Sequence, residues 1–142
     1  MSRRAIPYVP LLLLGVTACA SAPPAPAPAA KLIEARFATF NSHDLEGIVK
    51  LYTADAVMTS PAFCSPRQGE EGARRAYGDL FKTYPDISDE VTNYVIQGDH
   101  IAVQFTVHVG KYAVHIADFL TLRDGLIARD DAYFDYQGQH CS

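Results

Sequence analysis

The spacing of apolar residues changes along this 142-residue chain from a helical period to a strand period. Ile33, Phe37 and Phe40 recur at i, i+4 and i+7, which predicts a helix over residues 31–41 with one buried face. In the second half, apolar and polar residues alternate, which is typical of strands that bury one face. The pattern therefore predicts helices first and a sheet afterwards.

Two further helices and a short strand are predicted after the first helix. Asp44 is a suitable N-cap for a second, short helix. The apolar positions of that helix are Leu45, Ile48, Val49 and Tyr52. A brief strand over residues 56–59 precedes a loop, and Glu70 and Pro85 mark the start and end of a third helix. Its core-facing positions are Ala73, Tyr77, Leu80, Phe81 and Tyr84.

Three glycine-containing turns divide the second half of the domain. Their residues tolerate positive φ and are typical of hairpins; they are Gly98-Asp99, Gly110-Lys111 and Arg123-Asp124-Gly125. They predict an antiparallel meander of four strands over residues 89–97, 100–109, 112–122 and 126–136. Three helices followed by a meander predict an α+β fold, with the helices packed on one face of the sheet.

One face of the predicted sheet is almost entirely apolar. A two-residue turn at Gly110-Lys111 pairs Val103 with Asp118. The apolar residues on that face are Ile101, Val103, Phe105, Val107, Val109, Tyr112, Val114, Ile116 and Leu120. Asp118 is the only carboxylate among them, and desolvation there should raise its pKa. Asp118 is therefore a candidate general acid or base.

The register of the last strand has two alternatives. A two-residue turn places on the inner face Arg129, Asp131 and Tyr133. A three-residue Arg-Asp-Gly loop instead places there Ala128, Asp130, Ala132 and Phe134. We favour the second alternative because it buries Phe134. Asp130 then lies roughly opposite Asp118, and two carboxyls that close should share one proton, which makes Asp130 the second candidate catalytic residue.

The amino-terminal residues are typical of a bacterial lipoprotein signal. Arg3 and Arg4 precede the apolar run 11–14, which is too short to span a bilayer, and small residues lead to Cys19. A cysteine at this cleavage point resembles a lipobox, in which the thiol receives a diacylglycerol. We expect residues 1–18 to be removed and Cys19 to anchor the protein in the bacterial cell envelope, at the periplasmic face of the outer membrane.

Composition separates a tether from a globular domain. Residues 19–30 are rich in Ala and Pro, which favours an extended tether reaching roughly 30 Å. Residues 31–142 are long enough for one core.

The net charge bears on the possible partners. The chain has 12 basic and 16 acidic side chains. Removing residues 1–18 takes away two arginines and no acid, which leaves 10 basic against 16 acidic side chains, a formal charge of −6. We therefore expect no nucleic-acid partner, because an acidic protein releases no counterions from nucleic acid.

The remaining cysteines suggest a disulfide rather than a metal site. Once Cys19 is acylated, Cys64 and Cys141 form an even pair in an oxidising compartment, and we expect them to be bridged. No histidine and cysteine stand at the spacing of zinc ligands. We expect no metal and no cofactor, since phosphate-binding and dinucleotide-binding motifs do not occur either.

Several segments resemble the SnoaL-like branch of the nuclear-transport-factor-2-like superfamily. They are Phe40-Asn41-Ser42-His43-Asp44-Leu45, Leu51-Tyr52-Thr53-Ala54-Asp55-Ala56, Arg123-Asp124-Gly125-Leu126-Ile127 and Tyr133-Phe134-Asp135. The resemblance implies a cystatin-like, cone-shaped fold in which three helices and a curved, mainly antiparallel sheet enclose a pocket. Its members include polyketide cyclases, isomerases, epoxide hydrolases, dehydratases and non-catalytic binding domains, so the resemblance alone does not determine the function.

The resemblance also indicates which activities are unsuited to this chain. The three functional positions of ketosteroid isomerases fall on Arg36, Ser60 and Asp118, of which only Asp118 keeps its residue type. The aspartate–arginine–aspartate set of limonene-type epoxide hydrolases falls on His108, Thr106 and Ala132, and none is kept. Neither activity by those routes is expected.

In the pocket that the resemblance implies, we expect a small apolar molecule to contact seven residues. They are Met58, Ser60, Tyr77, Phe105, Tyr112, Ile116 and Phe134. We interpret Tyr52, Tyr77, Tyr84 and Tyr112 as amphipathic core residues with hydroxyls near the pocket mouth. His108 and His115 should lie on the outer sheet face, through which many relatives form homodimers, and we expect a homodimer here.

Three functions fit these observations. The first is a membrane-tethered domain that binds a small apolar ligand or a protein partner without turnover, which requires only the pocket. The second is a cyclase, isomerase or dehydratase that uses Asp118 as general acid or base. The third is a non-catalytic assembly scaffold whose interior is filled by side chains.

Overall fold

Residues 28–135 are described in the computed structural model of the protein, and they form three helices and a six-stranded sheet. The helices are α1 (Pro28–Asn41), α2 (Leu45–Val49) and α3 (Gly69–Thr83). The strands are β1 (Tyr52–Thr59), β2 (Arg67–Gln68), β3 (Ser88–Gln97), β4 (His100–Val109), β5 (Tyr112–Arg123) and β6 (Leu126–Tyr133). The predicted α+β class is confirmed within this range.

The strands lie in the order β2-β1-β6-β5-β4-β3 in a curved, open sheet. The antiparallel meander of β3 to β6 agrees with the prediction. In addition, β1 pairs with β6 in parallel, so the first long strand of the chain lies beside the last. Turn residues predict only neighbouring strands, and the sequence pattern therefore did not reveal this pairing.

The register of the meander determines which side chains point inward. In the β4–β5 hairpin, Val109 pairs with Tyr112 and Val103 pairs with Asp118, as predicted. The turn before β6 differs from the favoured three-residue loop. Arg123 pairs with Leu126 around a two-residue turn in which Asp124 and Gly125 have φ of 55° and 77°.

A β-bulge nevertheless brings the expected residues to the inner face. The register shifts between Thr121 and Leu122, so that Asp130 stands opposite Leu120 and is buried. A bulge inserts one extra residue into one strand and thereby reverses which side chains point inward beyond it. The favoured inner face is therefore correct from Asp130 onward, where Ala132 and Phe134 line the cavity. Before the bulge it is wrong, because Ile127 and not Ala128 is fully buried.

The structure moves two boundaries of the predicted elements and exposes one residue that was predicted to be buried. Helix α1 begins at Pro28 rather than at residue 31, and Ala29 and Ala30 are buried, so these residues do not belong to the extended tether. Proline is accepted in the first turn of a helix because its missing N–H has no partner there. Tyr52 begins β1 instead of continuing α2. Tyr84, predicted as a core position of α3, is 42% exposed.

The helices cover the inner face of the sheet and build one core. Ile33, Phe37 and Phe40 of α1 are all buried, as the spacing predicts. Asp44 caps α2 by accepting a hydrogen bond from the N–H of Gly47 at 2.9 Å. Within the described residues, no helix has the length and apolar character that crossing a membrane requires.

Candidate functional site

An open cavity of about 870 Å³ lies between the helices and the inner face of the sheet. Its wall is mostly apolar. All seven residues predicted to contact a ligand lie on this wall: Met58, Ser60, Tyr77, Phe105, Tyr112, Ile116 and Phe134. Their contact with a ligand remains a prediction. Tyr112 is 66% exposed at the mouth of the cavity, whereas Phe105 and Tyr77 are buried deeper.

Five polar side chains from five different elements meet at the inner end of this cavity. They are Arg36 of α1, Tyr52 of β1, Tyr77 of α3, Asp118 of β5 and Asp130 of β6, and all are buried. We call them the polar cluster. Burying charged groups among apolar residues is unfavourable unless they are paired, which accounts for their mutual hydrogen bonds.

Arg36 is the centre of the polar cluster. Its Nη2 donates to Oδ2 of Asp118 at 2.6 Å and to Oδ2 of Asp130 at 3.4 Å. Its guanidinium carbon also lies over the rings of Phe37 and Phe105, 5.1 and 5.7 Å from their centroids. One cation therefore neutralises part of the charge of two carboxyls while it remains in contact with aromatic faces.

The two tyrosines hold the second carboxyl. The hydroxyl of Tyr52 donates to Oδ2 of Asp130 at 2.6 Å and lies 2.5 Å from the hydroxyl of Tyr77. Burial, and then the nearby Asp130 carboxylate, raise the pKa of Tyr52 well above its usual value, so its hydroxyl remains a neutral donor. The hydroxyls of Tyr52 and Tyr77 thus belong to the polar cluster and not to the cavity mouth.

Asp118 combines a raised pKa with an oxygen that has no partner. Burial is the main cause, followed by the neighbouring Asp130, and together they outweigh Arg36 and raise the pKa of Asp118 to about 8. While Oδ2 accepts from Arg36, Oδ1 has no hydrogen-bond partner among the described residues. Since Asp118 lines the cavity, this carboxyl could give a proton to a bound molecule or take one from it near neutral pH.

Sequence reasoning placed Asp118 and Asp130 but missed Arg36 and Tyr52 as members of the site. Arg36 had a detectable signal, because it lies on the same face of α1 as Ile33, Phe37 and Phe40, and a charge on a buried helix face needs a buried partner. Tyr52 had no such signal in the sequence, because the helical period of apolar residues continues through it. Its contact with Asp130 depends on the β1–β6 pairing, which local residues do not predict.

Ser60, His115 and the three cysteines are the other residues for which the sequence predicted a role or a position. Ser60 lies on the cavity wall, and His115 is exposed on the outer face of the sheet, where its Nδ1 is 3.1 Å from the hydroxyl of Thr106. Cys64 is disulfide-bonded. Cys19 and Cys141 lie outside the described residues, so the pairing with Cys141 stays a prediction. No group of three or more His, Cys, Asp or Glu within residues 28–135 is arranged to hold a metal ion.

Comparison with protein families gives one match that covers most of the domain. Residues 33–130 match the family described as the SnoaL-like domain. A comparison with curated proteins finds no match.

Solved structures share the fold at low sequence identity. A protein of Kribbella flavida proposed to be a ketosteroid isomerase is 22% identical, with a TM-score of 0.67 over 81% of this chain and 83% of that one. IdmH of Streptomyces antibioticus, proposed to be a polyketide cyclase, is 23% identical, with a TM-score of 0.66 over 75% and 91%. TerC, co-crystallised with polyporic acid, is 22% identical, with a TM-score of 0.68 over 77% and 92%. At these identities the likeness establishes the fold alone.

Proposed function

We propose, from the premise that this chain belongs to the SnoaL-like domain family, that it is an enzyme which moves a proton on a small, largely apolar molecule. The substrate would lie in the cavity with a carbonyl or hydroxyl group against the polar cluster. Asp118 would serve as the general acid or base of a cyclisation, isomerisation or dehydration. The observation that carries this proposal is Oδ1 of the buried Asp118, which has no hydrogen-bond partner among residues 28–135.

The polar cluster favours turnover over binding alone. A pocket that only retains an apolar molecule requires no buried carboxyls, and burying two of them costs free energy that their contacts recover only in part. An enzyme would use the buried carboxyls in its reaction, because a carboxyl with a pKa near the working pH is suited to proton transfer. Arg36 and Tyr52 would hold the two carboxyls in place and stabilise charge that develops during the reaction.

Other SnoaL-like folds and the volume of the cavity support the same proposal. Solved structures with this fold include proteins proposed to be an isomerase and a cyclase, and one that was crystallised with a small molecule. The cavity of about 870 Å³ has room for a ligand. A purely structural scaffold would have no need for such a space.

The proposal is tested by titrating the carboxyl of Asp118. Carbon-13 NMR of the protein, with the resonance assigned by its loss in Asp118→Asn, should give an apparent pKa well above the usual aspartate value, near 8. A value near 4 would contradict the proposal, because Asp118 would then be ionised and solvated like an ordinary surface aspartate.

Proton transfer itself can be measured with an apolar ketone. In D2O the protein should accelerate exchange of the α-hydrogens of 2-tetralone, and Asp118→Asn should reduce that acceleration by about 100-fold or more. Asp124→Asn is the matched control, because Asp124 lies in the exposed β5–β6 turn with φ of 55°, a conformation that asparagine tolerates. Equal loss of exchange in both variants would contradict a role for Asp118.

For the location of the protein, we propose that acylated Cys19 tethers the domain to the bacterial cell envelope, at the periplasmic face of the outer membrane. The support is the order of basic, apolar and small residues before Cys19. The protein should be recovered with membranes after cell fractionation, and Cys19→Ala should abolish both the lipid mass increment and that recovery. Recovery of Cys19→Ala with membranes would contradict the anchor.

We also propose a homodimer that forms through the outer face of the sheet. Phe119 and Tyr133 stand on this outer face, their rings 5.6 Å apart and both more than half exposed. Exposed aromatic residues that contact each other are common at protein interfaces.

We propose in addition that Cys64 and Cys141 form a disulfide. Peptide mapping without reduction would identify the partner of Cys64.

A further inference from the structure

A third buried carboxyl, Asp89, lines the cavity outside the hydrogen bonds of the polar cluster, but close enough to interact electrostatically with Arg36 and Asp118. It is the second residue of β3, stands opposite Val107 of β4 and is 8% exposed. The side chain of Asn41 fixes its backbone: the N–H of Asp89 donates to Asn41 Oδ1 at 2.7 Å, and Asn41 Nδ2 donates to the carbonyl of Asp89 at 2.9 Å. The position of this carboxyl is therefore set by α1 and β3 together.

The side chain of Asp89 has no ion-pair partner among the described residues. Its Oδ1 is buried and accepts no hydrogen bond from them. Arg36, the buried cation of the cavity, attracts Asp89 electrostatically, but its ion pairs are with Asp118 and Asp130. His108 on the neighbouring strand lies with its Nε2 3.2 Å from Glu90. Burying a carboxylate without a hydrogen-bond donor costs free energy. A donor from a bound molecule would recover part of that free energy at this position.

The charges around the cavity are unbalanced in the same direction. Of the described residues on its wall, five are carboxylates and two are guanidinium groups. The carboxylates are Asp79, Asp89, Asp118, Asp130 and Asp135, and the guanidinium groups are Arg36 and Arg67. Arg67 lies over the ring of Phe63, 5.1 Å from its centroid. Once Asp89 and Asp118 are ionised, above the pKa values of about 7 and about 8 to which burial raises them, the wall has an excess of negative groups, which attracts a cation.

The apolar part of the wall is also suited to a cation with an organic body. Aromatic rings recur around the cavity, in Phe40, Phe63, Tyr77, Tyr84, Phe105 and Tyr112. Aromatic faces attract ammonium groups through their quadrupole while their area contacts carbon atoms. An inorganic cation has no apolar body that could be buried against such a surface.

We propose that the cavity selects a protonated amine: the ammonium group lies at Asp89, and the apolar body of the same molecule extends along the aromatic wall. This inference rests on the proposed function, in which the cavity binds a small, largely apolar molecule, and it names the charge of that molecule. Asp89 is then a binding residue, and Asp118 acts on another part of the ligand.

Three probes with the same apolar cage test the selection: 1-adamantanamine, 1-adamantanol and 1-adamantanecarboxylate. Calorimetric titration of the protein is made at pH 8, above the pKa of about 7 to which burial raises the Asp89 carboxyl. The amine should bind about tenfold or more tightly than the alcohol, since one hydrogen bond to a charged group distinguishes them. The carboxylate should bind more weakly than either.

Two variants locate the selecting group. Asp89→Asn should reduce the affinity for the amine about tenfold and leave that for the alcohol unchanged. Asp124→Asn, which removes the same charge in the exposed β5–β6 turn away from the cavity wall, should change neither affinity by more than about twofold. If Asp89→Asn fails to fold, the ranking of the three probes on the unaltered protein still decides.

The outcomes separate this inference from the proposed function. Equal binding of amine and alcohol, or equal effects of the two variants, would overturn amine selection while leaving ligand binding in the cavity intact. Failure of all three probes to bind at millimolar concentration would overturn the inference and count against an apolar ligand. The titration of Asp118 is a separate measurement that none of these results replaces.

Discussion

Arg36 is the residue on which the polar cluster depends most directly. It is the one cation in hydrogen-bond contact with the two buried carboxyls, Asp118 and Asp130, among the described residues. A buried ion pair contributes little net stability compared with apolar residues of similar volume, but removal of one partner leaves the other charge buried and unpaired. The consequences of losing Arg36 should therefore exceed those of losing a surface arginine.

We expect Arg36→Met to lower the free energy of unfolding at pH 7 by about 3–5 kcal/mol, because two carboxyls lose their cation. Urea unfolding followed by circular dichroism measures this loss. Arg74→Met is the control: Arg74 forms an ion pair with Glu46 at the surface, and its removal should cost less than about 1 kcal/mol. Equal losses in the two variants would show that Arg36 is not a buried charge partner.

Asp89 and Asp118 should make the stability of the protein fall as the pH rises. Burial raises the pKa of Asp89 to about 7 and that of Asp118 to about 8, from a usual value of 3.8. Between about pH 4 and 8 the folded protein thus binds more protons than the unfolded chain. The contribution of these two carboxyls to the free energy of unfolding is therefore fully present below about pH 4. It is lost as the pH rises through the pKa values of the folded protein, about 7 and about 8.

Asp89→Asn should flatten this dependence, because asparagine stays neutral at every pH. Between pH 5 and 8 the unaltered protein should lose about 1–3 kcal/mol more unfolding free energy than the variant, as measured by urea unfolding at several pH values. Asp124→Asn, in the exposed turn, should follow the unaltered protein. Parallel curves for all three proteins would show that Asp89 titrates normally.

The elements differ in how far their positions follow from local residues. The β4–β5 hairpin is correct to the residue, because Gly110 and the two-residue alternation fix both its turn and its faces. In the β5–β6 hairpin the inner face was predicted correctly from Asp130 onward, but the bulge that produces it was not. Nothing in the local residues distinguishes a longer loop from a short turn with a bulge, because both reverse the same face.

The start of α3 depends on one close approach of two backbones. Gly69, the first residue of α3, has φ of 64°, and a Cβ added there would lie 2.5 Å from the carbonyl oxygen of Ala54 in β1. Gly98, in the β3–β4 turn, has a similar φ of 59°, and no atom of the described residues lies within 4 Å of such a Cβ. The two positions therefore differ in contact and not in backbone strain.

We expect Gly98→Ala to cost about 1–2 kcal/mol, the strain of a left-handed alanine. Gly69→Ala should cost about 1–3 kcal/mol more, because Ala54 must also move. Thermal or urea unfolding of both variants measures the difference. Equal costs would mean that α3 shifts freely away from β1.

For the molecule as a whole, composition and the change of period predicted one α+β domain, and the family match over residues 33–130 agrees with it. The cavity was expected from the family resemblance, and strand register then identified its inner-face residues and Asp118. The polar cluster could not be assembled in the same way. Its contacts join α1, β1, α3, β5 and β6, and such distances along the chain are invisible to local patterns.

The proposed homodimer depends on the outer face of the sheet. Phe119→Glu should shift the protein to a monomer, because a charge buried in an aromatic contact is strongly unfavourable. Tyr84→Glu is the control, since Tyr84 is an exposed aromatic residue at the end of α3 and not on that face. Sedimentation velocity at several concentrations distinguishes the two states. A dimer that persists in Phe119→Glu would contradict this interface.

The parallel pairing of β1 with β6 bears on the order in which the molecule can become complete. Asp130 follows Arg36 and Tyr52 in the chain, and until it leaves the ribosome the hydroxyl of Tyr52 and the guanidinium of Arg36 lack an acceptor that they have in the folded domain. A chain that ends before β6 would therefore carry unsatisfied groups in its interior. This arrangement favours cooperative, all-or-none closure, in which a truncated copy is recognised by its instability and degraded.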